Sequence, residues 1–222
     1  MIRQIAFDTE TTGLDPAQGH RVVEIGCVEM IDYIRTENTF HVYLNPERDM
    51  PPEAQKVHGL SIDFLKDKPL FKHIAQDFLA FVGDDVLVAH NAGFDMKFIN
   101  YELRQAGHTP FAANRSVDTL QIARKKYPGQ PATLDALCRK FEVDLSERSL
   151  HGALLDARLL ADVYLELMGG RQVSLLEEKQ HTKATEMVKS QMVQFPRRHF
   201  AASVEELELH QAFLAKYVLK KA

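Results

Sequence analysis

The stretch "IAFDTETTGLD", residues 5–15, constrains this chain more than any other. An apolar run ends at Asp8, and Glu10 follows two residues later. Side chains two apart in a strand point to the same face, so a strand that ends here directs both carboxylates to one point. Burying two negative charges together costs free energy unless a partner offsets it. The pair is therefore either a solvated turn before "TTGLDP" or part of a cation site.

Two later segments carry carboxylates that could join this pair. In "VAHNAGFDMKF" a strand is predicted to end at His90–Asn91, and Asp95 falls in the first turn of the next helix. In "SLHGALLDARLL", His151 precedes a helix that contains Asp156, so the two meet only if His151 lies on the preceding loop. Taken alone, Asp95 is also explained by the helix dipole. Taken alone, His151 is also explained as an ordinary loop histidine.

The order of the predicted elements indicates an α/β domain. Three strands come first, with short connections that favour an antiparallel meander, and strands and helices then alternate. The predicted strands cover 2–7, 21–31, 39–44 and 85–91, and the predicted helices cover 71–83, 94–107, 133–143 and 153–170. Residues 115–127 read as a short strand that runs into a further helix. We therefore predict a mixed sheet with helices packed on it, ending near residue 170.

The remaining residues form a tail with a different pattern. Residues 171–180 read as a short polar linker, and "ATEMVKSQMVQF" is helix-like. Ser203 followed by Glu206 three residues later predicts a capping box at the start of another helix. An appendage of this size buries little core by itself, so its apolar side chains require a partner.

Charge and composition exclude several classes of protein. Residues 1–178 contain 19 basic and 27 acidic side chains, whereas residues 179–222 contain 8 and 4. The larger part is thus no simple phosphate-binding surface and would handle nucleic acid through metal ions or a partner. No apolar run approaches the ~20 residues that span a bilayer, and the start does not read as a signal peptide. We interpret Cys27 and Cys138 as reduced core residues of a cytoplasmic protein.

The three acidic motifs together resemble a known family. D-x-E at residues 8–10, H-N-x-x-F-D at 90–95 and H-x-x-x-x-D at 151–156 resemble the DEDD superfamily of 3′–5′ exonucleases, in its histidine branch. The resemblance implies a ribonuclease-H-like fold and two Mg²⁺ or Mn²⁺ ions, and it implies His151 as the general base. It implies four metal ligands: Asp8, Glu10, Asp95 and Asp156. Oxygen ligands suit these cations, and an imidazole that titrates near neutral pH suits proton transfer.

The same resemblance implies side chains that hold the end of a nucleic acid strand. They are Thr9, Leu14, His58, Asn91 and Phe94. Leu14 could wedge beside a terminal base and Phe94 could stack on one, although core packing is the alternative for both. The sequence predicts no role for His20, His41 or His73.

The tail carries two further resemblances. In "GGRQVSLLEE", the residues Gln172, Ser174, Leu175 and Leu176 resemble the short peptide by which replication proteins bind the sliding clamp, although an unremarkable linker is the alternative. The residues beyond resemble the C-terminal segment of the proofreading (epsilon) subunits of bacterial DNA polymerase III, which anchors the exonuclease to the polymerase (alpha) subunit. This implies an exonuclease domain at 1–170, a linker at 171–180 and a polymerase-binding helical segment at 181–222.

We therefore predict an exonuclease of the replisome, on the nucleoid. It removes mispaired nucleotides from a DNA primer 3′ end as 5′-monophosphates. One alternative is a free-standing DEDD exonuclease acting on RNA or single-stranded DNA, but an apolar tail helix has little use in such an enzyme. The other is a non-catalytic module that braces a polymerase, but all five catalytic positions are filled.

Overall fold

A computed structural model of the chain describes residues 1–146, 148, 150–170 and 203–214. The chain divides into two compact units, residues 1–173 and 174–222. The strands are β1 Arg3–Thr11, β2 Val22–Ile31, β3 Ile34–Tyr43, β4 Val86–Ala89 and β5 Ser116–Asp118. In the first unit the helices are α1 Pro52–His58, α2 Ile62–Leu65, α3 Phe71–Val82, α4 Ala92–Gln105, α5 Thr119–Lys126, α6 Leu134–Lys140 and α7 Ala153–Leu167.

The five strands form one mixed sheet in the order β3-β2-β1-β4-β5. β1 and β2 pair antiparallel, as do β2 and β3, which confirms the predicted meander. Asp32 and Tyr33 connect β2 to β3 with φ values of 49° and 70°, as a tight hairpin with the usual strand twist requires. β4 then lies parallel to β1 on its other side, so the carboxyl ends of these two strands point the same way.

Helices cover both faces of this sheet. On one face, Phe7 of β1 belongs to the same core as Phe78 of α3 and Phe98 of α4. On the other face, Ala6 of β1 belongs to a second core built largely from α6 and α7. Neighbouring residues of β1 thus serve opposite cores, as strand alternation requires. The predicted α/β architecture, a ribonuclease-H-like mixed sheet flanked by helices, is confirmed.

Several boundaries differ from the prediction. β1 continues to Thr11 instead of ending near residue 7, because its ladder with β2 extends through the polar residues. β3 begins at Ile34, five residues before the predicted start, in a partly exposed edge strand whose polar sequence lacks a clear alternation. The helices α1 and α2 were not predicted, since they have only seven and four residues and are too short to show a helical apolar periodicity.

Both cysteines are free and buried, as predicted. Cys27 lies in β2, where burial raises the pKa of its thiol, and burial raises the pKa of Cys138 to about 11. Neither thiol is therefore ionised at neutral pH, which agrees with a packing role.

The second unit contributes helix α8, Val204–Phe213, to the described residues. Ser203 accepts a hydrogen bond from the Glu206 N–H, and the Glu206 side chain accepts one from Ser203 N, which confirms the predicted capping box. The side chains of Val204 and Leu209 are exposed. The segment "ATEMVKSQMVQF" lies outside the described residues. Among the described helices, none has the length and apolar character needed to cross a bilayer.

Candidate active site

The site begins with two carboxylates on one face of β1. Asp8 lies opposite Gly26 and Glu10 lies opposite Glu24 in the antiparallel ladder with β2. Glu10 is buried, and Asp8 is partly exposed. Both belong to the face of the sheet that α7 covers, since they alternate in step with Ala6. The strand therefore aims both carboxylates at the beginning of α7.

Gly26 allows α7 to approach the strand closely. A methyl group built on Gly26 would overlap the backbone of Ala153 and Leu154, in the first turn of α7. Asp156 lies in that same turn, and its side chain is buried. Because Gly26 has no side chain, the backbone of α7 can lie directly against β2. This contact places the Asp156 carboxylate beside the two carboxylates of β1.

Replacing Gly26 by Ala should therefore damage both stability and activity. The added methyl must push α7 away from β2, and overpacking of this kind costs about 1–3 kcal/mol. A displacement near 1 Å at a reacting group can cost about 100-fold in rate. We expect the urea midpoint and the nuclease rate to fall together. Gly93→Ala is the matched control, because a methyl there meets open space; equal behaviour of the two variants would contradict this account.

Asp95 reaches the site from the opposite helical layer. It lies in the first turn of α4, as predicted, and is buried. Its Oδ1 accepts hydrogen bonds from the Thr9 N–H, at 3.1 Å, and from the Thr9 hydroxyl, at 2.7 Å. Thr9, which lies between Asp8 and Glu10 in β1, thus holds a third carboxylate, that of Asp95, at the end of this strand.

A left-handed residue makes the sharp turn from β4 into α4. Asn91 has φ 68° and ψ 49°, and its N–H donates to Asp118 Oδ1 at 3.1 Å. The Asn91 side chain is exposed and makes no capping bond to the helix. The turn allows α4 to begin directly after the strand, which brings Asp95 to the edge where β1 ends.

His151 lies on the loop before α7, as the sequence predicts. Its N–H donates to the Val57 carbonyl at 3.2 Å, which ties the loop to α1. Its imidazole Nδ1 lies 3.1 Å from Asp156 Oδ2. The side chain is 48% exposed, in contrast to the buried carboxylates. The imidazole is therefore positioned by Asp156 while remaining open to solvent.

Arg148 is a member of the site that sequence reasoning missed. Its Nε and Nη2 donate to the two oxygens of Asp156 at 2.6 and 2.8 Å. Its Nη2 also lies 2.8 Å from Nδ1 of His151, and its Nη1 donates to Asp135. The available signal was its position, three residues before His151 in the segment that supplies a predicted base.

The carboxylates oppose one another electrostatically. Burial and then the negative charge of Asp95 raise the pKa of Asp8 well above its usual range. Burial and the charge of Asp156 raise the pKa of Glu10 to about 8. Burial raises the pKa of Asp95 to about 7, although the hydrogen bonds from Thr9 favour its charged form. A site of this kind holds its full negative charge only when cations compensate it.

Ligand atoms of Glu10, His151 and Asp156 all lie within 4.8 Å of one another, close enough to share one metal ion. The arrangement is therefore a possible carboxylate and histidine metal site.

Two cavities border the carboxylates. One, of about 490 Å³, is lined by four of the five predicted substrate residues, namely Thr9, Leu14, His58 and Phe94. His20, for which the sequence predicts no role, also lines it. Asn91 is absent from its lining. A larger cavity of about 650 Å³ is lined by Asp8, Asp156 and His151, together with Arg148 and Asp135. The predicted clamp residues, 172 and 174–176, lie outside the described residues.

Comparison with known proteins identifies the class. A profile of the family described as Exonuclease matches residues 5–164, which include all five predicted catalytic side chains. Fold and site thus define an exonuclease. The chain is 51% identical over 229 residues to the DNA polymerase III subunit epsilon of Rickettsia conorii, across 100% of this chain and 98% of that protein. The protein of the same name from Rickettsia prowazekii is 50% identical over 228 residues, across 99% and 98%.

The chain therefore belongs to the family of DNA polymerase III epsilon subunits, and it is a 3′–5′ proofreading exonuclease. Among solved structures, it is similar to exonuclease X in complex with 5′-overhanging duplex DNA. The TM-score is 0.60 and the identity is 27%, over 76% of this chain and 91% of that one.

Proposed function

We propose that the chain removes mispaired 3′-terminal nucleotides from DNA as 5′-monophosphates, by two-metal-ion hydrolysis with His151 as general base. The observation that carries this proposal is the convergence of four carboxylates from β1, α4 and α7 beside one solvent-accessible imidazole. The relatives' name and the exonuclease family support the direction and the substrate class.

The residues present fit divalent cations well. Asp8, Glu10, Asp95 and Asp156 offer carboxylate oxygens only, which suit Mg²⁺ or Mn²⁺. Their raised pKa values arise from burial and mutual repulsion, and cations remove that repulsion. When bound, two such ions would polarise the scissile phosphate, lower the pKa of a water molecule and stabilise the leaving 3′-oxygen.

His151 then takes the proton from the attacking water. Its loop position leaves the ring accessible, and its Nδ1 lies within hydrogen-bonding distance of Asp156 Oδ2. A carboxylate that accepts from Nδ1 leaves Nε2 with a free lone pair, which is the form a base requires. The backbone bond to Val57 limits how far the loop can move.

The smaller cavity is our candidate site for the terminal nucleotide. Leu14 is 81% exposed at its rim, and Phe94 contributes a ring. Apolar and aromatic contacts accept any base, which fits an enzyme without sequence preference. Nδ1 of His58 accepts the Leu60 N–H at 3.0 Å, and burial lowers the pKa of its ring. His58 therefore lines the cavity as a neutral ring whose Nε2 carries the proton.

We further propose that the chain works in the cytoplasm as part of a replicase. The exonuclease domain would cover 1–170, the linker 171–180 and the polymerase-binding segment 181–222. The relatives are named as subunits of DNA polymerase III, and α8 shows exposed apolar side chains that suit a protein partner. Gln172, Ser174, Leu175 and Leu176 would bind the sliding clamp. Tethering by such partners raises the local concentration of an enzyme whose catalytic part is acidic.

A nuclease assay tests the catalytic part of this proposal. The purified chain should remove a 3′-mismatched nucleotide from a labelled primer in Mg²⁺ or Mn²⁺ and release a 5′-monophosphate. Chelation should abolish the reaction, and added metal should restore it. Activity that persists in chelator, or release of a 3′-monophosphate, would contradict the two-metal assignment.

A binding assay tests the partner part separately. The full chain should retain purified polymerase alpha subunit, and a chain lacking 171–222 should not, while both degrade free oligonucleotides equally. Exchanging Gln172 and Leu176 for Ala should weaken only clamp binding. If the truncated chain still proofreads normally in cells, the free-standing alternative is the better description.

Magnesium should stabilise the protein more at pH 8 than at pH 6. The pKa values of Glu10 and Asp95 are raised from 4.5 and 3.8 to about 8 and about 7, so the folded state binds protons more tightly than the unfolded chain. Without cations, this contribution to folding stability is fully present below the pKa values of the unfolded chain. It is lost as pH rises through the pKa values of the folded state. Cations bind the charged forms, so their stabilisation grows over the same window.

The measurement is the Tm in saturating Mg²⁺ minus the Tm in chelator, at both pH values. We expect a difference of several degrees at pH 8, since 1 kcal/mol corresponds to about 2–4 °C at this chain length. Glu10→Gln should reduce its pH dependence, whereas Asp162→Asn, at a part-exposed carboxylate on α7, should not. Equal differences at the two pH values would refute the linkage.

A further inference from the structure

The guanidinium of Arg148 occupies the same carboxylate that the proposed cations need. It pairs with both oxygens of Asp156, at 2.6 and 2.8 Å, and the Arg148 side chain is only 8% exposed. Bidentate pairs of this kind are the strong form of the arginine–carboxylate interaction. A cation that approaches Asp156 therefore meets both carboxylate oxygens already engaged by a positive group.

We propose that Arg148 is a positioning residue that competes with the divalent cation for Asp156. This rests on the proposed metal site. A cation binds Asp156 more favourably once the guanidinium gives up at least one of its two bonds, because the two positive groups otherwise share one carboxylate. The positive charge of Arg148 adds repulsion of the cation to this competition.

Asp135 gives the displaced guanidinium a place to remain. It lies on α6, its side chain is 42% exposed, and it accepts from Nη1 of Arg148, the one guanidinium nitrogen that does not contact Asp156. Arg148 can thus keep this bond while it releases Asp156. The movement needed is a rotation about an anchored end rather than departure from the cleft.

The same side chain also affects the proposed base. Nδ1 of His151 lies 2.8 Å from Nη2 of Arg148 and 3.1 Å from Oδ2 of Asp156, and it cannot accept from one and donate to the other at once. When it accepts from Arg148, the proton of the neutral ring lies on Nε2, which then offers no lone pair to water. Movement of Arg148 toward Asp135 removes that donor.

The test is the affinity of the full chain for Mn²⁺, measured by electron paramagnetic resonance of free Mn²⁺ without substrate. Arg148→Met keeps an unbranched side chain but removes the charge and the bonds. We expect it to bind Mn²⁺ about tenfold more tightly than wild type, because the competing cation is gone. Arg35→Met is the matched control, since Arg35 pairs with Asp162 on the same helix α7, at 2.9 Å. It should change the affinity less than about twofold, as expected for a half-exposed ion pair.

A double-mutant cycle isolates the role of Asp135. In wild type, Asp135→Asn should weaken Mn²⁺ binding, because Arg148 then has only Asp156 and His151 as partners. In the Arg148→Met background, Asp135→Asn should weaken Mn²⁺ binding clearly less, because only the loss of the negative charge of Asp135 then acts on the cation. Equal weakening in both backgrounds would overturn the proposed resting place for the guanidinium.

Unchanged or weaker Mn²⁺ binding by Arg148→Met would overturn the competition. Weaker binding would instead make Arg148 an orienting partner of the metal ligand, whose loss typically costs 10–100-fold in affinity. If Arg148→Met does not fold, Arg148→Lys provides the same test. One ammonium cannot hold both oxygens of Asp156, so this variant should bind Mn²⁺ more tightly than wild type. If wild type and Asp156→Asn bind Mn²⁺ equally, the proposed metal site itself is wrong, and the competition fails with it.

Discussion

Asp8→Asn should lower the rate of 3′-nucleotide removal by at least about 10³-fold. This loss is at least as large as the rate loss caused by removing one electrostatic contact from an enzyme site. Asn has nearly the same shape as Asp but carries no charge. The carboxylate that it replaces lies close to those of Asp95, Glu10 and Asp156. We propose this side chain as a metal ligand, and a neutral amide oxygen is a much weaker one. The measurement is single-turnover excision from a 3′-mismatched primer in saturating Mg²⁺.

The same substitution should make the protein more stable in chelator. Burial and repulsion disfavour the charged form of Asp8, as its raised pKa shows, and Asn removes that charge. At pH 8 the variant should therefore unfold at a higher temperature than wild type when metal is absent. This separates loss of chemistry from loss of fold, because a misfolded variant would lose both.

Asp162→Asn is the control for Asp8→Asn. It makes the same chemical change on α7, at a part-exposed carboxylate that pairs with Arg35. Its excision rate should stay within about twofold of wild type, because surface ion pairs contribute little. An Asp8→Asn variant that keeps more than a tenth of the wild-type rate would remove Asp8 from the proposed metal site.

The strands and the acidic motifs could be predicted because both follow from local rules. Apolar periodicity identifies β1 and β2, and the i and i+2 relation of Asp8 and Glu10 fixes their common face. Helix geometry indicated that His151 and Asp156 could meet only if His151 lay on the loop before the helix. The structure places its Nδ1 3.1 Å from that carboxylate.

Other features depend on contacts between distant segments and could not be predicted. Nothing in the sequence indicates that the backbone of α7 packs directly against Gly26. Arg148 lies close to His151 in the sequence, but only the fold brings Asp135 of α6 to its guanidinium. His20 lines the smaller cavity because a loop returns beside β1. In each case the decisive contact joins residues that no local pattern relates.

His151→Gln should lower the excision rate by about 10²–10⁴-fold, the usual contribution of a general base. Gln keeps a polar side chain on the loop but cannot take a proton from water near neutral pH. Protonation removes the lone pair that a base needs, so the wild-type rate in saturating Mg²⁺ should rise with pH. The variant should lack that rise, so the ratio of the two rates should be largest at high pH.

The pH profile distinguishes a base from a side chain that only shapes the cleft. A structural role would lower the rate by the same factor at every pH, because packing does not depend on protonation of the ring. His73→Gln makes the same exchange at an exposed residue of α3 and should leave both rate and profile unchanged. Saturating Mg²⁺ is essential, since the raised pKa values of Glu10 and Asp95 would otherwise add a pH dependence of their own. Parallel profiles for wild type and His151→Gln would assign proton removal to another group.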